Sequence, residues 1–252
     1  MKSFAKIVWA YPLIMIAGQL LPWEYSLAAG IMFTILGLIE PLRVLLLFGF
    51  TMLGHLTWFA IFQCLAENIA HKPWLRILGR FGLMGYIILF AAWEYFQPCG
   101  HKYLRFGNMR ERLKFPLIWR GFNENIWRFV LVFSALCCTA IVFFCLRNNN
   151  FSILVYGLLF AVINSMLEEI LWRGFVTGRT VDFLGEKQAL VITAITFGFY
   201  HLSLGFSVWT CLLFAIGGFY MGGCAIQSKG LGASMIMHIL VNLVFVSCGI
   251  IF

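Results

Sequence analysis

Residues 151–175 read FSILVYGLLFAVINSMLEEILWRGF, an apolar run that ends with two adjacent carboxylates. About 20 apolar residues suffice to cross a bilayer. Because every backbone polar group in lipid must be bonded internally, such a run is predicted to be a helix. Glu168 and Glu169 are costly in this setting, at roughly 2.5–3.5 kcal/mol each. They therefore need a structural or functional reason.

The composition of the whole chain agrees with this segment. Of 252 residues, 62% are hydrophobic and only 11% are charged, against roughly 25% charged in soluble domains. This excludes a water-soluble enzyme, a disordered chain, a nucleic-acid binder and a disulfide-stapled secreted domain. The net charge of +8 is better explained by basic loops that face anionic membrane lipids.

Apolar runs divide the chain into nine predicted helical segments. These are about 5–22, 25–39, 44–66, 82–97, 128–146, 151–175, 187–203, 206–227 and 231–251. The second and fourth are short, so eight spans remain an alternative. We predict an all-α, polytopic transmembrane helical bundle of eight or nine spans.

Loop charges predict the orientation. With nine spans, one side collects 14 of the 18 Lys and Arg residues, and the other side holds Lys72, Arg76, Arg80 and Arg147. The positive-inside rule then places the N-terminus in the cytoplasm. We expect a multi-pass integral protein of a bacterial inner membrane.

A basic, aromatic stretch at about 99–127 divides the chain. We interpret it as an interfacial membrane anchor rather than a substrate-docking segment. The predicted regions are an N-terminal transmembrane region, 1–127, and a C-terminal catalytic transmembrane domain, 128–252.

Spacing around the two carboxylates separates their roles. Glu169 and Arg173 are four residues apart with the acid first, the favourable order for a helical ion pair. That pairing leaves Glu168 free as a general base or acid. The alternative is a helix end that snorkels to the interface and pairs both acids with Arg173 and Arg179.

Two later segments supply further polar groups. His201 lies well inside an apolar run, and His238 and Asn242, four apart, share one helix face. Carboxylates, imidazoles, an amide and a guanidinium in one bundle could activate water and stabilise an oxyanion.

Other polar or small residues favour structural roles. His55 and Glu94 are single groups, and the pairs Gly217-Gly218 and Gly222-Gly223 are typical of close helix packing. The eight cysteines form no C-x-x-C pair and read as small buried hydrophobes.

Three motifs in order resemble the CPBP family of intramembrane endopeptidases, which includes type II CAAX prenyl proteases and bacteriocin-processing or self-immunity proteins. They are E-E-x-x-x-R at 168–173, F-x-x-x-H at 197–201 and H-x-x-x-N at 238–242. The resemblance covers about residues 150–250. It implies a metal-independent glutamate protease with a conical catalytic cavity in the C-terminal half.

By this resemblance, Glu168 and His201 hold and deprotonate a water, and His238 and Asn242 stabilise the oxyanion. Glu169 and Arg173 order the helix end. The alternative exchanges the two roles, so that Glu169 acts on the water and Glu168 orders the helix end. We expect no cofactor. Zinc is the alternative, since two His and one Glu form a known ligand set. However, no H-E-x-x-H helix is present, and no group that would hold the other ring nitrogen of either histidine is identifiable.

The expected substrate is a peptide or lipidated protein: a prenylated CAAX-type, bacteriocin or C-terminal-sorting-type chain. Two other functions compete. One is a non-catalytic membrane scaffold, immunity factor or lipid-binding partner of the same fold. The other is a transporter with a proton relay through Glu168, Glu169 and His201, although no inverted repeat is visible.

Overall fold

The computed structural model describes residues 6–100, 103–114 and 123–251. The α-helices within these residues are α1 (Tyr11–Leu20), α2 (Trp23–Gly37), α3 (Leu45–Asn68), α4 (Lys72–Gly79), α5 (Met84–Phe96), α6 (Ile126–Asn148), α7 (Ile153–Glu169), α8 (Thr177–Leu184), α9 (Glu186–Tyr200), α10 (Val208–Ser228) and α11 (Gly232–Ser247). Short 3₁₀ turns cover Lys6–Ala10, Arg80–Leu83 and His201–Leu204, and a π-helix covers Ile170–Val176.

All nine predicted segments are helical, and the predicted all-α polytopic bundle is confirmed. Among the described residues, five helical segments are long and apolar enough to cross a membrane: Leu45–Asn68, Lys72–Phe96, Ile126–Asn148, Ile153–Leu184 and Val208–Ser228. Apolar helices such as Lys6–Leu20 and Gly232–Ser247 fall short of that length. The number of spans, eight or nine, stays a prediction.

The fourth segment differs from the prediction at its start. Helix begins at Lys72 rather than near residue 82, so Arg76 and Arg80 lie within a helical segment and not in a loop. Arg80, Arg173 and Arg179 are buried, because acidic and aromatic side chains of the bundle surround them. Counting these three arginines as loop charges was wrong, and the orientation of the N-terminus stays a prediction.

The basic stretch is not helical where the structure describes it. Strands β1 (Arg112–Lys114) and β2 (Asn123–Asn125) pair antiparallel. The backbone at Arg105 and Asn108, before these strands, forms hydrogen bonds with the α10–α11 turn. Asn108 N donates to Ser228 O, and Leu231 N donates to Arg105 O. Residues 101, 102 and 115–122 of the predicted interfacial anchor lie outside the described residues. The division at 127 stays a prediction.

Local chemistry explains several helix ends. Pro12 and Pro73 stand in the first turns of α1 and α4, where a missing N–H costs nothing. Ser207 caps α10 by accepting from Thr210 N at 3.2 Å. The α10–α11 turn places Lys229 in the left-handed region, which ends α10 and lets α11 return beside it.

Close packing around α9 positions the site. Helix α9 packs against α1 and α10, and α11 packs against α6, α7 and α10. Added Cβ atoms on Gly218 and Gly222 would lie 2.9 Å from Phe197 and 2.8 Å from Leu190 of α9. These two glycines therefore serve helix packing as predicted. Gly217 does not, because nothing lies within 4 Å of its added Cβ.

The remaining structural predictions largely hold. All eight cysteines are free, and five are buried: Cys99, Cys137, Cys145, Cys211 and Cys224. The prediction of buried cysteines was wrong for Cys64 and Cys138, which are exposed. His55 is buried and stacks on Trp58 at 5.6 Å between ring centres. Glu94 pairs with Arg179 at 2.8 Å, so both His55 and Glu94 have structural roles.

Candidate active site

The two adjacent carboxylates end α7 inside the bundle. Glu168 and Glu169 are 1% and 0% exposed. This contradicts the alternative of a snorkelling helix end, which requires solvent contact. Arg179, the second partner in that alternative, binds Glu94 instead.

Glu169 is held from two sides. Arg173 Nη1 lies 3.0 Å from Glu169 Oε1, one helical turn away, so the predicted ion pair is present. His238 Nδ1 donates to the same Oε1 at 2.8 Å. Glu169 is thereby neutralised and fixed, and it does not line the cavity described below.

Glu168 has a different environment. Both of its carboxylate oxygens are buried, and neither has a hydrogen-bond donor among the described residues. The nearest polar contacts are His238 Nε2 at 3.5 Å from Oε2 and Arg80 Nη1 at 3.8 Å from Oε1. Buried carboxylates normally accept hydrogen bonds, so Glu168 retains full acceptor capacity toward a molecule in the cavity.

The π-helix after Glu169 sets the angle of this helix end. This π-helix covers Ile170–Val176, and Thr177 Oγ1, directly after it, donates to Trp172 O at 2.8 Å. Single π turns inside α-helices are common at functional sites. Trp172 packs its ring against Phe197 at 5.7 Å and Tyr200 at 5.6 Å, which locks α7 to α9.

His201 follows the last turn of α9. Its Nδ1 donates to Phe197 O at 2.9 Å, which leaves Nε2 as an acceptor. Phe197 also organises the neighbouring groups. Its ring centre lies 4.3 Å from Arg173 Cζ, 5.0 Å from the His201 ring and 6.0 Å from the His238 ring.

Asn242 stands one turn after His238 on α11. Its Nδ2 donates to Ser165 Oγ at 3.0 Å, so α7 fixes the amide. The second N–H of that amide and the Nε2 edge of His238 are not used in protein hydrogen bonds among the described residues. The two side chains line the same cavity.

A cavity of about 780 Å³ joins these groups. Its polar lining includes Glu168, His201, His238 and Asn242, and its walls are rich in aromatic side chains: Trp58, Phe62, Phe160, Phe197, Phe206 and Phe214. The predicted cavity is present, but its wall is not confined to the C-terminal half, because Trp58, Arg76 and Arg80 also line it.

Sequence reasoning missed three polar residues. Arg80 was assigned to a loop, although Lys72, Arg76 and Arg80 recur every fourth residue, a spacing typical of one helix face. Ser165 and Asn164 stand one helical turn before Glu169 and Glu168, which is the only signal that could have found them.

The site does not fit a metal ion. The structure supplies partners that the sequence did not identify: the Phe197 carbonyl holds Nδ1 of His201, and Glu169 holds Nδ1 of His238. Nevertheless, the described part of the chain contains no group of three His, Cys, Asp or Glu side chains placed to hold a metal. We derive no step through zinc, and metal independence stays a prediction.

One family model matches the part of the chain that contains these residues. Residues 149–244 match the model of the Rce1-like family, described as type II CAAX prenyl endopeptidase Rce1-like. The matched range contains all seven motif residues, and it confirms the resemblance to CAAX-type proteases. That family is generally a protease family. Neither the curated proteins nor the solved structures gave a match.

Proposed function

We propose that this protein is an intramembrane endopeptidase of the glutamate type. One observation carries the proposal: Glu168 is almost completely buried, faces an apolar cavity and has no hydrogen-bond donor among the described residues. Its neighbour Glu169 carries the structural ion pair. A carboxylate kept free in this way, beside two imidazoles, is suited to act as a general base.

The reaction begins with a water between Glu168 and His201. The water donates one hydrogen to Glu168 and the other to Nε2 of His201. Glu168 removes its proton as the water oxygen attacks the peptide carbonyl. When the tetrahedral intermediate collapses, Glu168 returns that proton to the leaving amine nitrogen. Atoms and charge balance over the cycle, and no cofactor is needed.

His238 and Asn242 are the proposed oxyanion donors. Glu169 holds Nδ1 of His238, so Nε2 in its protonated form can donate to the developing negative charge. Asn242 donates through its second N–H. Donors fixed before the reaction each contribute roughly 10²–10³-fold in rate.

The aromatic walls favour an apolar substrate held at the membrane. A prenylated CAAX-type protein, a bacteriocin or a C-terminal-sorting-type chain would each place a peptide bond beside Glu168. We infer a multi-pass protein of a bacterial inner membrane, with the N-terminus in the cytoplasm and contacts to membrane lipids.

Replacing Glu168 by Gln tests the proposal. Purified protein in proteoliposomes is given a geranylgeranylated peptide, and products are identified by mass spectrometry. We expect Glu168→Gln to reduce cleavage at least about 10⁴-fold with unchanged expression and membrane insertion. Glu67→Gln, at the exposed end of α3, is the matched control. Retained cleavage in Glu168→Gln removes the assigned base.

The same variant tests the scaffold alternative in cells. If Glu168→Gln preserves the phenotype that the wild-type protein confers while peptide cleavage is lost, the protein acts without catalysis. Loss of both would favour the endopeptidase.

A further inference from the structure

One wall of the cavity carries a row of cations. Lys72, Arg76 and Arg80 all line it, and their spacing of four places them on one face of the helical segment that starts at Lys72. Lys72 and Arg76 are exposed, whereas Arg80 is only 7% exposed. The row therefore leads from the outer surface to the side of Glu168.

Among the described residues, Lys72 and Arg76 have no ion-pair partner, and Arg80 has only a long contact. The only contact with an acid is that of Arg80 Nη1 with Glu168 Oε1, and its 3.8 Å is too long for a hydrogen bond. The buried Nε of Arg80 has no hydrogen-bond partner. Arg76 and Arg80 are like charges four residues apart on one helical face, a spacing at which they repel each other. A buried guanidinium without hydrogen bonds is costly, and the Phe160 ring 5.4 Å from its Cζ offsets only part of that cost.

The charge balance of the cavity favours a bound anion. Arg173 neutralises Glu169, so three cations face the single free carboxylate of Glu168. An apolar cavity with excess positive charge attracts an anionic ligand strongly. Arginine is also the side chain best suited to bind a carboxylate through two parallel hydrogen bonds.

We propose that Lys72, Arg76 and Arg80 form the subsite for the free C-terminal carboxylate of the peptide substrate. This inference rests on the endopeptidase function proposed above. Arg80 lies beside Glu168, where the scissile bond must lie, so the anion that satisfies Arg80 belongs to the substrate rather than to a lipid headgroup.

The geometry limits where the substrate is cut. Eight residues of helix rise about 12 Å, and an extended peptide advances about 3.3 Å per residue. The row thus accommodates a carboxylate up to about four residues beyond the scissile bond. A substrate cleaved far from its C-terminus would bring no carboxylate to this row of cations.

Asn164 supports a peptide in this position. It stands one helical turn before Glu168, lines the same cavity and has a buried Oδ1 without a hydrogen-bond partner. That oxygen is suited to accept a backbone N–H from the residues between the scissile bond and the terminal carboxylate.

Two peptides that differ only at the C-terminus test the subsite. Both are geranylgeranylated, and one ends in a carboxylate and the other in an amide. The full-length protein is assayed in phosphatidylcholine vesicles. We expect kcat/KM to favour the acid peptide by about tenfold or more. Arg80→Gln should abolish this preference, and Arg80→Lys should retain part of it.

The ratio of kcat/KM for the acid peptide to kcat/KM for the amide peptide separates binding of the carboxylate from general damage to Glu168. Such damage would lower both values equally. Arg76→Gln, at an exposed position, should also reduce the preference without affecting folding. Arg147→Gln, an exposed cation outside the cavity, should leave it unchanged. Equal cleavage of both peptides by the wild type, or equal loss for both in Arg80→Gln, overturns the proposal.

Vesicles that contain an anionic lipid test whether the row of cations binds a lipid phosphate instead of the substrate carboxylate. Adding phosphatidylglycerol to the vesicles should leave the acid preference intact. If phosphatidylglycerol abolishes the preference, the row binds a lipid phosphate and the proposal is wrong.

Failure of the proposed function is separable from failure of the subsite. If the wild type cleaves neither peptide, binding of the two labelled peptides to Glu168→Gln is measured by fluorescence anisotropy. Binding of the acid form about tenfold tighter, lost when Arg80→Gln is added, supports the subsite although catalysis has failed. Equal binding of both peptides overturns it.

Discussion

Nδ1 of His238 lies 2.8 Å from Oε1 of Glu169, which joins two side chains that are 69 residues apart in the sequence. The contact gives the two adjacent glutamates different environments. Glu169 is bound by an imidazole and a guanidinium, whereas Glu168 faces the cavity. Adjacent helical residues point about 100° apart, so α7 can serve the fold with one carboxylate and the cavity with the other.

Glu169→Gln should destabilise the protein by about 3–5 kcal/mol, because the change leaves Arg173 as an uncompensated buried charge. Thermal unfolding in detergent, followed with a thiol-reactive dye that labels the buried free cysteines, measures this. Adding Arg173→Met should recover much of the loss, since no unpaired charge remains. An unchanged unfolding temperature in Glu169→Gln would show that the pair does not support the fold.

Asn242→Leu should lower kcat by roughly 10²–10³-fold with little change in KM, because it removes a donor used mainly in the transition state. Ser165→Ala should have a smaller effect, about tenfold, because it only frees the Asn242 amide to rotate. Steady-state cleavage of the acid peptide gives both constants. If Ser165→Ala is the more damaging change, Asn242 is not the direct donor.

Removing divalent metals should leave peptide cleavage unchanged. The reason is that Glu168, His201 and His238 do not form a group placed to hold a metal ion in the described chain. Activity is measured after treatment with EDTA or 1,10-phenanthroline, alongside elemental analysis of the purified protein. Stoichiometric zinc whose removal abolishes cleavage and whose return restores it would contradict the proposed mechanism.

Gly218→Val should reduce both stability and cleavage, because its Cβ would lie 2.9 Å from the Phe197 ring that packs on Arg173 and His201. Gly217→Ala, at the preceding residue, is the matched control. It meets nothing within 4 Å and should gain up to about 1 kcal/mol of helix stability. The two unfolding temperatures should move in opposite directions, and equal shifts would remove Gly218 as a packing position.

The helical architecture was predictable because lipid leaves a spanning backbone few options. Apolar runs marked all nine segments, and the spacing of four marked the Glu169–Arg173 pair. The start of the fourth segment was not predictable in the same way. Lys72, Arg76 and Arg80 lower its hydrophobicity, so a helix that begins with them resembled a loop.

Sequence alone determined the class of fold and the seven motif residues, because the 3.6-residue period and the cost of charge in lipid act within one segment. It could not determine which distant groups meet. That His238 binds Glu169, that Ser165 holds Asn242 and that Arg80 comes beside Glu168 depend on how separate helices pack. These contacts were decided only by tertiary structure, because side-chain electrostatics and hydrogen bonds act over a few ångströms of space, whatever the separation along the chain.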